Sequence, residues 1–275
     1  MYVSDTSVYD TFEITSSFIG ENMVQPQRVL DVLLKYEQNT ALVDKKLLYQ
    51  TVTMAVENQS LTLVLFSCLA TVRSKEELVM DFFKTLFFDG GSKEVSNTAK
   101  RAVRLVQEIE GLGLSVNVVP ILVDTEPQRT WGWQTPQDEI TLGCELMLEQ
   151  ARESGLLPAN WSPALWSELE ARYSDDQTFS KCLDWARGAG KHALCVRQQA
   201  KHLAGFSDRY HFPLGLDETA LRQVGAYAFE GVVLEKIFPH ALLLQSEWPW
   251  AEKDALYQWL RDKKKPLQII HPFPN

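Results

Sequence analysis

Two short apolar runs constrain this chain more than any other feature: LTLVLF, Leu61 to Phe66, and VNVVPILV, Val116 to Val123. Both are nearly continuous rather than alternating, which fits strands covered on both faces, the habit of parallel sheets. Between them lie two helical patterns. Lys75 to Phe88 repeats apolar residues at Leu78, Val79, Phe82, Phe83, Leu86 and Phe87 and stops at Asp89-Gly90-Gly91. Ser96 to Ile109 follows, with Ser96 or Asn97 as N-cap and Gly111 and Gly113 beyond its end. Strands separated by helices favour a parallel sheet with right-handed crossovers. The expected fold is α/β: a single Rossmann-like domain over residues 1–275, with a mostly parallel sheet flanked by helices on both faces.

Other patterns extend this plan. Val29 to Tyr36, Lys45 to Val56, Gln137 to Glu153, Trp161 to Tyr173 and Gln177 to Leu203 read as helices, the last divided by Gly188 and Gly190. Leu216 to Ile237 reads as a helix with Asp217 as N-cap and Pro239 as stop, and Lys253 to Asp262 as another. Ala241 to Leu244 and Leu267 to Ile270 complete the strands, and residues 1–20 alternate enough for an edge hairpin or N-terminal arm.

Composition removes several classes of function. A net charge of -9 argues against indiscriminate nucleic-acid binding, although a local basic patch remains compatible with it. The four cysteines show no CxxC pattern and the five histidines no HExxH, so no metal site is expected and the thiols read as reduced. MYVSDTSVYDTFEIT lacks a basic region followed by an apolar core. No apolar run approaches the roughly 20 residues that span a bilayer. A cytoplasmic protein without membrane contact or a stable protein partner is the expectation.

Ligands of open parallel sheets bind outside the carboxyl ends of the strands. Three such exits are polar: Ser67-Cys68, Asp124-Thr125-Glu126 and Gln245-Ser246-Glu247. Each carries a hydroxyl and two carry carboxylates, so Asp124, Thr125, Glu126 and Ser246 are candidate substrate-binding residues. Strand exits are also polar simply because loops are solvated, and for Ser67 taken alone that structural reading is the stronger one. No GxxxxGK[ST] or GxGxxG follows either strand, and no GxSxG surrounds Ser67. On the 216–237 helix Tyr227 and Glu230 share a face, as a proton-handling pair or as core and surface residues, and Glu235 lies close by. RGAGKHALCVRQQAKH gathers Arg187, Lys191, Arg197 and Lys201, either a solvated helix face or a phosphate grip. Trp131 and Trp133 beside Arg129 are either a stacking surface or aromatic packing.

The order of these parts resembles the tRNA-dependent cyclodipeptide synthases, which are built like the catalytic domain of class I aminoacyl-tRNA synthetases. LTLVLFS ends on Ser67 as a strand of that family ends on its acyl-accepting serine, and VDT, Val123 to Thr125, matches an Asp-Thr strand exit. YSDDQTFSKCLDWAR is similar to its helix after an acidic turn, Tyr227 and Glu230 to its Tyr/Glu helix, and ALLLQSEWPWAEKDALY to its last strand, loop and tyrosine, Tyr257. The likeness covers roughly residues 60–260 in short motifs. The chain departs from the family in lacking a Gly-rich segment around the serine. Its Tyr and Glu are three apart rather than four, which leaves Glu230 and Glu235 both in view. It is acidic in QDEITLGCELMLEQARE, where the family is often basic, and it carries extra sequence between Phe88 and Val116.

The resemblance implies aminoacyl transfer from aminoacyl-tRNA to a cyclic dipeptide through an aminoacyl-serine, without cofactor or metal. Ser67 would accept the first acyl group. Tyr227 and Glu230 would position its amine, Tyr257 would line the pocket, and Arg187, Lys191, Arg197 and Lys201 would grip tRNA. The rival readings are a Rossmann-type transferase holding a nucleotide or S-adenosyl cofactor, its ribose on Asp124 or Glu126, and a non-catalytic binding module with Trp-rich loops.

Overall fold

The structure is a computed structural model that describes residues 24–37, 43–68, 97–132, 134, 136–155, 157–173, 176–205, 207, 212–245 and 268–270. The N-terminal arm, the 75–88 and 253–262 helices, the Ser96 cap, Trp133, Ser246 and Tyr257 lie outside the described residues. Nine helices are described: α1 (Pro26–Tyr36), α2 (Lys45–Glu57), α3 (Asn97–Glu110), α4 (Glu126–Arg129), α5 (Gln137–Glu153), α6 (Trp166–Arg172), α7 (Asp176–Ala186), α8 (Lys191–Ala204) and α9 (Leu216–Ile237). Five strands, β1 (Ser60–Cys68), β2 (Ser115–Val123), β3 (Ala164–Leu165), β4 (Leu242–Gln245) and β5 (Gln268–Ile270), form one sheet in the order β3-β2-β1-β4-β5. Every pairing in it is parallel.

Alternation along the strands divides the core into two layers. Leu61, Leu63, Leu65, Val116, Val118, Leu122, Leu242 and Leu244 face α1, α2, α3 and α5. Val64, Val119, Ile121, Val123 and Leu243 face α6, α7 and α9. Burial on both sides is why β1 and β2 read as unbroken apolar runs. The strand β2 passes through Pro120, which pairs with Leu65. Val118 O accepts from Ser162 N on the β3 side. Alternation therefore puts the Pro120 nitrogen on that side too, against the short edge strand, and no bond to β1 is lost.

Three expectations need correction. Residues 161–173 are not one helix: Trp161 bridges to Val118, Ala164–Leu165 pairs with β2, and only Trp166–Arg172 is helical. Pro163 disfavours helical backbone at Ser162, and the open edge of β2 offers this segment hydrogen bonds instead. Asp217 does not cap α9; Gly215 does, at φ 79°, and Asp217 and Glu218 sit in the first turn, where carboxylates favour the helix dipole. The polar exit of β2, for which the structural reading is a solvated loop, winds into α4 from Glu126 onward. The break in 177–203 falls at its glycines, with Gly190 at φ 70° between α7 and α8.

Two contacts fix helices on opposite faces. On one, Glu108 of α3 accepts from Tyr36 Oη at 2.7 Å and from Lys35 Nζ at 2.8 Å. Burial, then the Glu108 hydrogen bond, pushes the Tyr36 phenol from 10.0 up to about 12. A folded pKa raised in this way contributes stability below pH 10 that is lost as pH rises through about 12. Tyr36→Phe should therefore lose less stability than the parent between those limits, measured by denaturant titration at each pH. On the other face α7 crosses α9 at Gly225, where an added Cβ would lie 2.6 Å from Leu183 Cδ2 and 3.3 Å from Leu183 Cα. Gly225→Val should cost about 1–3 kcal/mol by overpacking, read as a lower urea midpoint.

Candidate functional site at the carboxyl edge of the sheet

Parallel register brings the predicted exits together. Ser67 pairs with Leu122 and Cys68 with Val123, so β1 and β2 end at the same level, with Asp124-Thr125 one step beyond. On the other side Phe66 pairs with Gln245, the last residue of β4. The chain runs outward from β1 through β2 to β3 and then returns to β4, which makes the β1/β4 boundary the topological switch point. In sheets of this kind the ligand crevice opens there. The backbone of Ser67 stands at that position.

Asp124 is fully buried, and its carboxylate is engaged by protein donors. Oδ1 accepts from Ser167 N at 2.8 Å, and Oδ2 accepts from Ser167 Oγ at 2.6 Å, Thr141 Oγ1 at 2.9 Å and Gln137 Nε2 at 3.4 Å. Gln137 Nε2 also donates to the Asp124 carbonyl at 3.0 Å. One side chain thus clamps the β2 exit to α5 and to the first turn of α6. Burial, with the Asp124 charge added, pushes the neighbouring Cys144 thiol upward, so it stays protonated and unreactive. Sequence reasoning missed Ser167, Thr141 and Gln137, because no local pattern marks a side chain as the partner of a distant strand end.

It also missed Arg129 and Glu170. Arg129, in α4, lies 4.9 Å from the Phe179 ring centroid and 5.4 Å from that of Phe229, and ion-pairs through Nη2 with Glu170 Oε1 of α6. Thr125 Oγ1 and Glu170 Oε2 are buried and have no hydrogen-bond partner. Glu126, predicted beside Thr125, opens α4.

On α9, Tyr227 is half-buried among the residues packed on the sheet, and Glu230 is 3% exposed. The helix leads directly into the amino end of β4, so it runs antiparallel to the strands. With a rise of about 1.5 Å per residue, Glu235 sits near the amino edge of the sheet, while Tyr227 and Glu230 lie toward the carboxyl edge. Lys191, Arg197 and Lys201 are exposed on one face of α8, and exposed Arg187 precedes them, paired with Asp184 at 3.1 Å. Exposed α5 residues are mostly acidic, including Asp138, Glu139, Glu145 and Glu149. Trp131 is buried and stacked on Phe212 at 5.5 Å, so it packs rather than presenting an open surface. Among the described residues no cluster of His, Cys, Asp or Glu could hold a metal, and no helix is long and apolar enough to cross a membrane.

No protein-family model matches the chain, and no curated protein does either. Solved structures do match it. Tyrosyl-tRNA synthetase from Archaeoglobus fulgidus, complexed with L-tyrosine, aligns over 90% of this chain at TM-score 0.54 and 9% identity. The PvcA protein from Pseudomonas aeruginosa aligns over 90% of this chain and 84% of its own, at TM-score 0.54 and 12% identity. A cyclodipeptide synthase from Candidatus Glomeribacter gigasporarum, bound to Phe-tRNAPhe, aligns over 79% and 89% at TM-score 0.50 and 9% identity. The chain shares with these neighbours an α/β fold built on a parallel sheet flanked by helices. At these identities the likeness is one of fold alone, and this chain spans 63% of the archaeal synthetase.

Removing the clamp should cost stability. Asp124→Ala leaves the Ser167, Thr141 and Gln137 donors without their acceptor and should destabilise the protein by about 3 kcal/mol, read by urea titration. Cys144→Ala, which removes only a thiol, should cost less.

Proposed function

We propose that the chain is an aminoacyl transferase of a single catalytic domain, residues 1–275, which joins two aminoacyl groups from tRNA into a cyclic dipeptide. One observation carries the reading: the strand that carries Ser67 at its carboxyl end lies in register beside the strand that leads into Asp124-Thr125, at the switch point of an all-parallel sheet. The fold shared with a synthetase and a tRNA-bound cyclodipeptide synthase supports it.

An aminoacyl-tRNA ester is already activated, so the chemistry needs neither ATP nor a metal. Ser67 Oγ attacks the ester carbonyl, and the tRNA ribose oxygen leaves with a proton, which gives an aminoacyl-serine. Glu230 and Tyr227 hold the amine of that residue and accept its proton as it attacks the second ester, from which the second tRNA's ribose oxygen leaves with a proton. The second amine then attacks the serine ester, which closes the ring and frees Ser67. Tyr257 and Ser246 line the pocket, as do Thr125 and Glu126. Asp124 acts through its clamp. Depth in the layer and distance from the amino edge favour Glu230 over Glu235 as the working carboxylate. Arg187, Lys191, Arg197 and Lys201 take the tRNA phosphates, a role the acidic α5 cannot fill. A cytoplasmic site of action fits a tRNA substrate.

Mass spectrometry of medium from bacteria expressing the chain, and of reactions with purified aminoacyl-tRNA, tests this. Cyclic dipeptides should appear with the intact chain and disappear in Ser67→Ala. Glu230→Gln should reduce them by roughly 10²–10⁴-fold, and Glu235→Gln should leave them largely unchanged. Absence of dipeptide in both settings, from folded protein, would overturn the reading.

A further inference from the structure

The reaction proposed above brings two amines to one site in turn, and Glu230 serves only one of them. A second carboxylate stands at the same edge. Glu170 lies one helical turn beyond Ser167, and Thr125 is the residue after Asp124, so both flank the Asp124–Ser167 clamp. The Arg129 amide donates to the Thr125 carbonyl at 3.2 Å, and the Arg129 guanidinium pairs with Glu170 Oε1. One turn of α4 therefore ties Thr125 to Glu170. The Phe229 ring beneath the guanidinium belongs to α9, the helix that also carries Glu230.

Two buried atoms in this cluster have no protein partner, Glu170 Oε2 and Thr125 Oγ1. A buried acceptor left unmatched is costly unless a ligand supplies the donor. Glu170 Oε2 belongs to a carboxylate and only accepts, so its ligand must donate; the Thr125 hydroxyl can accept as well. Arg129 is pinned by two rings and by Oε1, which holds the carboxylate in one orientation with Oε2 turned to other use. An ammonium offers three donors and a charge, and its hydrogen bonds to a carboxylate are of the stronger kind.

We propose that Glu170 Oε2 and Thr125 Oγ1 form a subsite for a primary ammonium, that of the incoming aminoacyl group, with Arg129 as the residue that positions Glu170. The inference rests on the acyl-transfer reading, because it takes its ligand from that substrate. The ribose hydroxyls of the tRNA end are the other donors such a subsite would meet, and the test separates them.

Binding is measured by filter retention in a Ser67→Ala background that also carries Glu230→Gln, so that the acyl group stays on tRNA and the first amine site has lost its carboxylate. The probes are total charged tRNA, the same pool N-acetylated, and the same pool deacylated. This double variant should prefer the charged over the acetylated pool by about tenfold or more, the range of a hydrogen bond to a charged group. Adding Glu170→Gln should bring the two pools within roughly twofold, with affinity for deacylated tRNA unchanged. Thr125→Val should lower the same preference about threefold with thermal stability unchanged or raised, since that hydroxyl has no protein bond to lose. This second variant decides the matter should Glu170→Gln fail to fold. Full preference retained in either folded variant would overturn the subsite, as would no preference in the double variant itself. A preference for deacylated tRNA lost in Glu170→Gln would assign the ribose instead. Failure to bind any pool would overturn the acyl-transfer reading itself, and this inference with it.

Discussion

A fully buried carboxylate is tolerated only where donors replace the water it has lost. Asp124 meets that condition with Ser167, Thr141 and Gln137, and the arrangement of the site depends on it. These donors come from α5 and α6, which both follow β2 in the chain and pack on opposite faces of the sheet. The clamp therefore holds a helix from each layer at the same point of the sheet. Thr125 and Glu170 are placed as a consequence, each within a turn of it, and Arg129 ties the two together.

The sheet supplies the other half of the geometry. Two core layers bury β1 and β2 from both sides, and this holds the strands in a register that brings Ser67 and Asp124 to adjacent exits. The helix α9 lies against the sheet on one side and against α7 and α8 on the other, with Gly225 allowing the close approach to Leu183. That enclosure explains why Glu230 is buried although it is three residues from a half-buried tyrosine. A carboxylate on an exposed helix face would be an ordinary solvated charge; on this helix it is part of the interior.

Charge is distributed unevenly on a chain whose net value is -9. Exposed carboxylates collect on α5, and Lys191, Arg197 and Lys201 share the outer face of α8. A polyanion is repelled by the first helix and attracted by the second, and both effects weaken as salt rises.

Periodicity alone determined most of the elements, because burial on one face or both leaves a direct imprint on residue order. The strands β1 and β2, the helix α5 over Gln137–Glu153 and the helix α9 over Leu216–Ile237 were legible for that reason. So were Ser67 and Asp124-Thr125 as neighbours at the carboxyl edge of the sheet, since a parallel sheet puts every strand exit on one side. β3 was not legible, because two residues carry no period and their pairing depends on the open edge of β2. Neither the Asp124 clamp nor the Arg129–Glu170 pair was, because each joins side chains about 40 residues apart whose partnership has no local signature. The sequence by itself determined the longer helices and strands and which residues stand at the ends of β1 and β2. Only the tertiary structure decided which of those residues are braces, which keep buried polar atoms outside the protein's own hydrogen bonds, and where along the sheet Glu230 and Glu235 of α9 lie. Those outcomes depend on long-range packing and on helix direction, which residue order does not encode.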